Sequence, residues 1–113
     1  MHLNPERANE VYDELRKERF SRNQAKILAL LEQSGSIGIA DISRILGITS
    51  SRALSALNTL MSRGYVMRME VKQTPGRGRT SFLYRIRMPI LDIIIDSRTR
   101  VEVVYSDEFM IDP

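Results

Sequence analysis

Apolar residues recur along this chain with two different periods, and the period changes from helical to strand-like after its middle. The apolar residues between Ala8 and Leu15 are spaced at i, i+3, i+4 and i+7, which predicts an amphipathic N-terminal helix. Asn4 and Pro5 precede this stripe and supply an N-cap side chain and a proline at the first helical position. The stripe would cover the domain's own core or pair with a second copy of the chain.

A second helix is predicted to begin at Ser21. Ser21 and Gln24 occupy the N-cap and N3 positions of a capping box, in which each side chain bonds to the other residue's backbone N–H. The apolar residues that follow keep the helical period until Gly35, which is typical of a helix end. Residues 36–39 are then sufficient for a very short strand.

Two further helices are predicted with a tight turn between them. The first covers about residues 40–46, and Gly47 permits the left-handed backbone that closes the turn. Thr49 would cap the second, which runs to about Arg63 and is stopped by Gly64. Its apolar residues, predicted to face inward, are Ala53, Leu54, Leu57, Leu60 and Met61.

Residues 65–72 and 80–87 change to an alternation with period two, which predicts two β-strands. In the first strand Met67, Met69 and Val71 lie on one side and Arg68, Glu70 and Lys72 on the other. In the second strand Phe82, Tyr84 and Ile86 are predicted to point inward and Arg85 and Arg87 outward. Pro75-Gly76-Arg77-Gly78 between them is strong turn chemistry, so the pair predicts a hairpin with a basic tip.

The segment after Pro89 is the least determined by its pattern. Residues 90–96 are rich in β-branched side chains and favour a hairpin with the alternating run that ends at Tyr105, although Leu91, Ile94 and Ile95 also suit a short helix. The consecutive isoleucines are expected in the core or at a subunit contact. From Asp107 onward the chain is an acidic tail.

Together these elements predict an α+β fold, a winged helix-turn-helix with a three-helix core and a β-hairpin wing. Residues 1–20 form an extra N-terminal helix, residues 21–88 the winged helix, and residues 89–113 a strand-rich C-terminal extension with the acidic tail. With 113 residues we expect all three parts to form a single compact domain.

Positive charge is concentrated in one segment of the chain. Residues 52–87 contain eight basic residues against Glu70 alone, a net charge of +7, whereas the whole chain carries +3. Residues 1–51 are neutral overall and residues 88–113 carry −4. A positive segment that coincides with the last helix of the turn and the predicted hairpin indicates contact with nucleic-acid phosphates.

Composition argues against catalysis, cofactors and metal. The chain has no cysteine, His2 is its only histidine, and neither a metalloprotease helix motif nor a phosphate-binding loop is present. Asp92, Asp96 and Glu102 are interpreted as the exposed faces of strands rather than as metal ligands. Without an apolar leader or a long apolar run, a soluble cytoplasmic protein is expected.

The exposed side of the predicted helix at about residues 49–63 has a composition that suits DNA. Serine, threonine and asparagine are poor helix formers, so an ordinary exposed helix gains nothing from them. Short side chains permit close approach to a duplex, Asn and Arg can bond base edges, and hydroxyls can bond phosphates. The residues of this face are Ser50, Ser51, Arg52, Ser55, Asn58, Thr59 and Ser62.

Residues 35–87 resemble the winged-helix transcriptional regulators, most closely the MarR-like and ArsR-like group. Gly35 to Thr49 fit that group's second helix and turn, and Leu57-x-x-Leu60-x-x-x-Gly64-Tyr65-Val66 fits the end of its recognition helix and the start of its wing. Arg79 with Tyr84-Arg85-Ile86 fits the return strand of the wing. The resemblance implies a sequence-specific regulator of transcription that binds double-stranded DNA, usually as a homodimer.

By this resemblance the recognition helix lies in the major groove and the basic wing, residues 72–80, lies on the minor groove or flanking phosphates. Gly76-Arg77-Gly78-Arg79 also resembles the core of an AT-hook. The predicted DNA-binding residues are Ser50, Ser51, Arg52, Ser55, Asn58, Thr59, Arg68, Lys72, Arg77, Arg79 and Thr80.

Two features depart from the group and leave an alternative open. MarR-like proteins dimerise through terminal helices, whereas this chain is expected to end in strands, so its homodimer would be built differently. Metal sensing as in ArsR-like proteins is not expected without cysteine. The alternative is a non-enzymatic architectural or protein-interaction subunit of a nucleic-acid machinery. Binding of a second protein partner through the acidic tail is a further possibility that the sequence leaves open.

Overall fold

A computed structural model describes residues 2–72 and 80–111, including the side chains of residues 2–71 and 81–100. The elements in chain order are α1 (Pro5–Lys17), α2 (Arg22–Ser34), β1 (Ile37–Gly38), α3 (Ile39–Leu46), α4 (Ser50–Ser62), β2 (Val66–Lys72), β3 (Thr80–Ile86) and α5 (Ile90–Ile111). The strands described form one antiparallel sheet in the order β1-β3-β2. The helices around this small sheet confirm the predicted winged helix with its extra N-terminal helix.

Three of the helices begin at the capping residues that the sequence predicts. The Asn4 side chain accepts hydrogen bonds from the first free N–H groups of α1. Ser21 and Gln24 form the complete capping box, with both side-chain-to-backbone distances at 3.1 Å. Thr49 accepts from the first turn of α4 at 3.1 Å. Each cap satisfies donors that a helix start otherwise leaves without a partner.

The turn between α3 and α4 has the predicted left-handed residue. Gly47 adopts φ 65° and ψ 34°, a region that side chains with a Cβ atom rarely enter. The Ser43 hydroxyl donates to the Ile48 carbonyl across the same turn. These contacts fix the angle at which α4 leaves α3, and therefore the direction in which the outer face of α4 points.

The core is built around α2, which is buried along most of its length. Its buried residues contact α1 on one side and α4 and β3 on the other. Val11 and Leu15 of α1 lie in this core, so the apolar stripe of α1 covers the domain itself. Tyr65 and Tyr84 close the core from the sheet side.

The predicted strand-rich C-terminal extension is wrong, because residues 90–111 form the helix α5. Ile90, Ile93 and Ile94 are buried at i, i+3 and i+4, which only a helix places on one side. Leu91 and Ile95 are exposed. Burial of one face against the core outweighs the β propensity of the isoleucines, because that propensity is weak and depends on context. The acidic residues of this segment therefore lie on a helix rather than on strand faces.

The wing sheet keeps the predicted alternation, but its inward face is buried only near the base of the wing. The register pairs Glu70 with Phe82, and residues directly opposite each other share a face. Phe82 therefore lies on the same face as Tyr84 but farther along the wing, and it is 38% exposed rather than buried as predicted. On this face Val66, Tyr84 and Ile86 pack against the core.

Candidate nucleic-acid interface

Helix α4 is anchored to the core by one face and presents the other to solvent. Ala53, Ala56, Leu57 and Leu60 are buried, at the helical spacing that one stripe requires. The predicted DNA-binding residues on the opposite side are exposed, namely Ser50, Ser51, Arg52, Ser55 and Asn58. The structure therefore brings five of the predicted residues together on one outward surface, which we call the α4 outer face.

Leu54 belongs to this outer face, although the pattern places it with the apolar residues of the core. Its side chain is 38% exposed, whereas Ala56 is buried in its place. On a helix Ser51, Leu54 and Asn58 lie at i, i+3 and i+7, so they share one strip of surface. The α4 outer face is thus a polar surface with one large apolar side chain on it.

Two hydroxyl groups near the end of α4 are bonded to the helix itself. The Thr59 hydroxyl donates to the Ser55 carbonyl at 3.3 Å, and the Ser62 hydroxyl donates to the Thr59 carbonyl at 2.7 Å. Thr59 is only half-exposed. Among the predicted residues of α4, Thr59 is therefore the least available to a ligand.

Basic side chains lie at both ends of α4 and on the wing. The five arginines of residues 52–87 whose side chains the structure describes are all exposed, and they are Arg52, Arg63, Arg68, Arg85 and Arg87. Exposed guanidinium groups keep their charge at any physiological pH and form bidentate contacts with phosphates. The described arginines of the positive segment thus all lie at the surface of the folded domain.

The sheet distributes this charge over both faces of the wing. The Arg68 guanidinium lies 4.3 Å from the centre of the Phe82 ring, a cation–π contact that covers the exposed ring. Arg85 lies on the opposite face, where its Nε donates to the Met67 sulfur at 3.1 Å. Phosphates on either side of the wing would therefore meet an arginine.

The remaining predicted residues lie at the outer end of the wing. Lys72 and Thr80 are paired at the ends of β2 and β3, so the two strands are in register up to the loop. Arg77 and Arg79 lie outside the described residues. Their role rests on the sequence.

A polar cluster that the sequence reasoning missed joins α5 to the end of α4 and to the base of the wing. The Tyr65 hydroxyl donates to Asp96 Oδ2 at 2.7 Å, and the Arg100 Nε donates to the same oxygen at 2.8 Å. Arg100 also donates to the Arg63 carbonyl at 2.9 Å, so a residue of α5 satisfies the C-terminal end of α4. The spacing of Asp96 and Arg100 at i, i+4 is a pairing signal, but it applies only to a helix.

The cluster changes the acidity of two of its members. Burial of Tyr65, followed by its hydrogen bond to Asp96, raises the pKa of the Tyr65 phenol to about 12. The hydrogen bond from Tyr65, followed by that from Arg100, holds the pKa of the Asp96 carboxyl below its usual value. At neutral pH the cluster is a neutral phenol, a carboxylate and a guanidinium.

In residues 2–72 and 80–100 no three histidine, aspartate or glutamate side chains come together as a metal site would require. Of the helices that the structure describes, none is both long enough and apolar enough to cross a membrane.

The sequence profile of the MarR family matches residues 20–73, nearly half of the chain. This segment contains α2, the helix-turn-helix and β2, and therefore the whole α4 outer face. No curated protein matches the chain by sequence.

Solved structures share the fold at low sequence identity. A possible transcriptional regulator from Methanosarcina mazei Go1 is 16% identical, with a TM-score of 0.65 over 90% of this chain and 88% of that one. Wild-type MarR from E. coli in its apo form is 14% identical, with a TM-score of 0.57 over 98% of this chain and 92% of that one. A mutant of S. aureus MepR bound to an oligodeoxyribonucleotide is 14% identical, with a TM-score of 0.56 over 96% and 76% of the two chains.

The family match and the fold agree with the exposed polar face of α4 and the basic wing. Regulation of transcription, rather than catalysis, is the activity of this family, so the predictions of a regulator and of a non-enzymatic protein are confirmed. Residues 20–73 thus match the MarR family of transcriptional regulators, and the chain as a whole has the winged helix-turn-helix fold of the solved structures.

Proposed function

We propose that this regulator reads its operator with the α4 outer face in the major groove. The observation that carries the proposal is the contrast between the two sides of α4, one closed into the core and the other covered by short polar side chains and Arg52. Such a surface approaches base edges closely, and Arg52 and Asn58 have the donors and acceptors that purine edges recognise. Ser50, Ser51 and Ser55 would bond bases or phosphates.

The wing would contact the duplex beside the recognition helix. Arg68 on β2, with Lys72, Thr80 and the loop residues Arg77 and Arg79, would bind flanking phosphates or enter the minor groove. Arginines on both faces of the sheet support contact with backbone on either side of the wing. This part of the interface would supply affinity and register, and α4 would supply sequence preference.

We propose that the protein acts as a homodimer in which α5 contributes to the interface. Leu91 is 67% exposed and Ile95 is 52% exposed, side by side on the face of α5 that the core leaves open. An apolar patch formed by adjacent side chains is a typical contact surface for a partner. A twofold dimer would present two α4 helices to two half-sites about one helical turn apart. The dimer was expected to lack terminal helices because the chain was predicted to end in strands. Since residues 90–111 form the helix α5, that expectation no longer applies.

A second protein partner at the acidic end of the chain is a further proposal that rests on the sequence. Asp107, Glu108 and Asp112 follow a segment that carries little positive charge. The same acidic groups would otherwise compete with DNA for the basic surface.

Selection of bound fragments from a random pool of DNA duplexes, at two salt concentrations, tests the DNA-reading proposal. We expect a pseudo-palindromic motif, with Arg52→Ala weakening binding to that motif by about 10- to 100-fold because a bidentate bond to a base is removed. Lys17→Ala removes the same charge from the exposed surface of α1 and is the matched control, expected to bind as the wild type does.

The wing is tested in the same assay with an Arg77→Ala/Arg79→Ala variant. We expect its salt dependence to flatten by about one unit for each phosphate that the variant no longer binds, without a change of motif. Recovery of A·T-rich DNA without a motif would replace the operator-specific regulator with an architectural protein. Equal binding by Arg52→Ala and the wild type would remove α4 from the interface.

A further inference from the structure

We propose that Leu54 reads the 5-methyl group of a thymine in the operator. The inference rests on the proposed docking of α4 and names a recognition chemistry for it that the polar residues do not provide. Leu54 is the one large apolar side chain on the α4 outer face, and the structure shows that it lies there rather than in the core.

The surroundings of Leu54 determine how far it reaches. Ser51, Ser55 and Asn58 are its neighbours at one helical turn or less, and all three are shorter or of similar length and are exposed. Leu54 therefore projects at least as far from the helix axis as any of them. If α4 lies in the major groove, the exposed part of Leu54 is enclosed between the helix and the floor of the groove.

An enclosed leucine needs an apolar partner. Base edges in the major groove present hydrogen-bond donors and acceptors at every base pair, and burial of a polar group against leucine costs free energy because that group loses its water. The thymine methyl is the one apolar group that the four bases place there. Burial of the methyl against Leu54 is favourable, so the contact would select T·A over other pairs at that position.

The position of Leu54 suits such a role. It is the fifth residue of α4, within the first two turns, and the N-terminal part of a recognition helix is the part that reaches base edges. Arg52 precedes Leu54 by two residues, so the two side chains lie toward opposite edges of the α4 outer face and would contact different base pairs. The predicted half-site is therefore a short element that contains a thymine in addition to the base pair contacted by Arg52.

Replacement of single thymines by deoxyuridine in the selected duplex tests the proposal, because uracil pairs as thymine does and lacks only the methyl group. For the wild type we expect one thymine in each half-site at which this replacement weakens binding by about three- to tenfold. For Leu54→Ala we expect weaker binding to the thymine duplex and no further loss at that position with deoxyuridine.

Ser55→Ala is the matched control on the same face, and we expect it to keep the sensitivity of the wild type to deoxyuridine. Leu54→Ala removes an exposed side chain and inserts a strong helix former, so the fold is retained and circular dichroism should be unchanged. Wild-type binding that ignores deoxyuridine at every thymine, or undiminished sensitivity in Leu54→Ala, would overturn the proposal while leaving DNA binding by α4 intact. Failure of the wild type to bind any duplex would overturn the proposed function as well.

Discussion

Helices α4 and α5 meet at the Arg63 carbonyl, yet they are helical for different reasons. Helix α4 has a side-chain cap at its start, a glycine after its end and a simple apolar stripe between them. Helix α5 begins with isoleucines that favour strands, directly after Pro89, whose carbonyl accepts the Ile93 N–H at 3.1 Å. Its buried face and its bonds to Tyr65 and Arg63 come from distant parts of the chain.

The comparison shows that local signals specify α4, whereas tertiary packing specifies α5. Signals within about four residues of one another suffice to begin and end α4, since capping and helical spacing act at that range. For α5 the same local signals favour a strand, and the helix is stabilised by the burial of one face in the core. Variants of α5 should therefore affect the whole domain more than variants that remove a cap.

The largest effect is expected from Ile93→Ala. Ile93 is fully buried, and deletion of a buried isoleucine side chain removes apolar burial and leaves a cavity. We expect the free energy of unfolding to fall by about 2–5 kcal/mol in denaturant titrations at fixed protomer concentration.

Leu91→Ala is the matched control, because it changes the same helix at a position that is mostly exposed. It should leave the unfolding of the protomer within about 0.5 kcal/mol of the wild type and shift sedimentation toward the monomer. Equal losses of unfolding free energy from both variants would mean that α5 is not held by its inner face.

A smaller effect is expected from Tyr65→Phe, which breaks the polar cluster without changing the core. Loss of a hydrogen bond to a charged acceptor should lower the free energy of unfolding at neutral pH by about 1–2 kcal/mol, since water partly replaces the phenol at Asp96. Thermal unfolding of both proteins under the same conditions measures the difference.

The pH dependence of this pair gives the sign of the effect independently. The pKa of Tyr65 is raised to about 12 in the fold from an ordinary value of about 10, so folding favours the neutral phenol. The contribution is present below pH 10 and is lost as the pH rises from about 10 to about 12. The stability of the wild type should fall over that window more steeply than that of Tyr65→Phe, and parallel curves would contradict the raised pKa.

The smallest effect is expected from Ser21→Ala in α2, a purely local change. It removes the side-chain acceptor of the capping box and should cost about 1 kcal/mol, measured by denaturant titration. The exposed Ser36→Ala in the loop before β1 is a control for the substitution itself. A loss larger than that of Ile93→Ala would reverse the proposed ranking of local and tertiary control.

Much of the fold was predictable because its boundaries are marked by individual residues. Asn4, Ser21, Thr49 and Gly47 have the conformations and bonds that their chemistry indicates. Burial along the wing is less predictable, since alternation within a strand shows its two sides but not how far the strand extends beyond the core. Phe82 shares a face with the buried Tyr84 and is exposed because it lies farther out along β3.

The candidate site was predicted as a set of residues rather than as a surface. The exposed serines, Arg52 and Asn58 of α4 follow from helical spacing once the core face is known. The apolar pattern places Leu54 in the core, because hydrophobicity alone does not show where a buried stripe ends. The Tyr65–Asp96–Arg100 cluster joins residues about thirty apart, which no local pattern relates.

Local sequence signals alone specify the order of the first four helices, the hairpin and the concentration of positive charge beside them. These depend on interactions between near neighbours in the chain, whose geometry is set by the backbone. Three features arise only in the folded domain, namely the helical state of residues 90–111, the exposure of Leu54 and the bond from α5 to the end of α4. Each of these depends on which distant surfaces meet, and the free energy of that burial is larger than the local preferences it overrides.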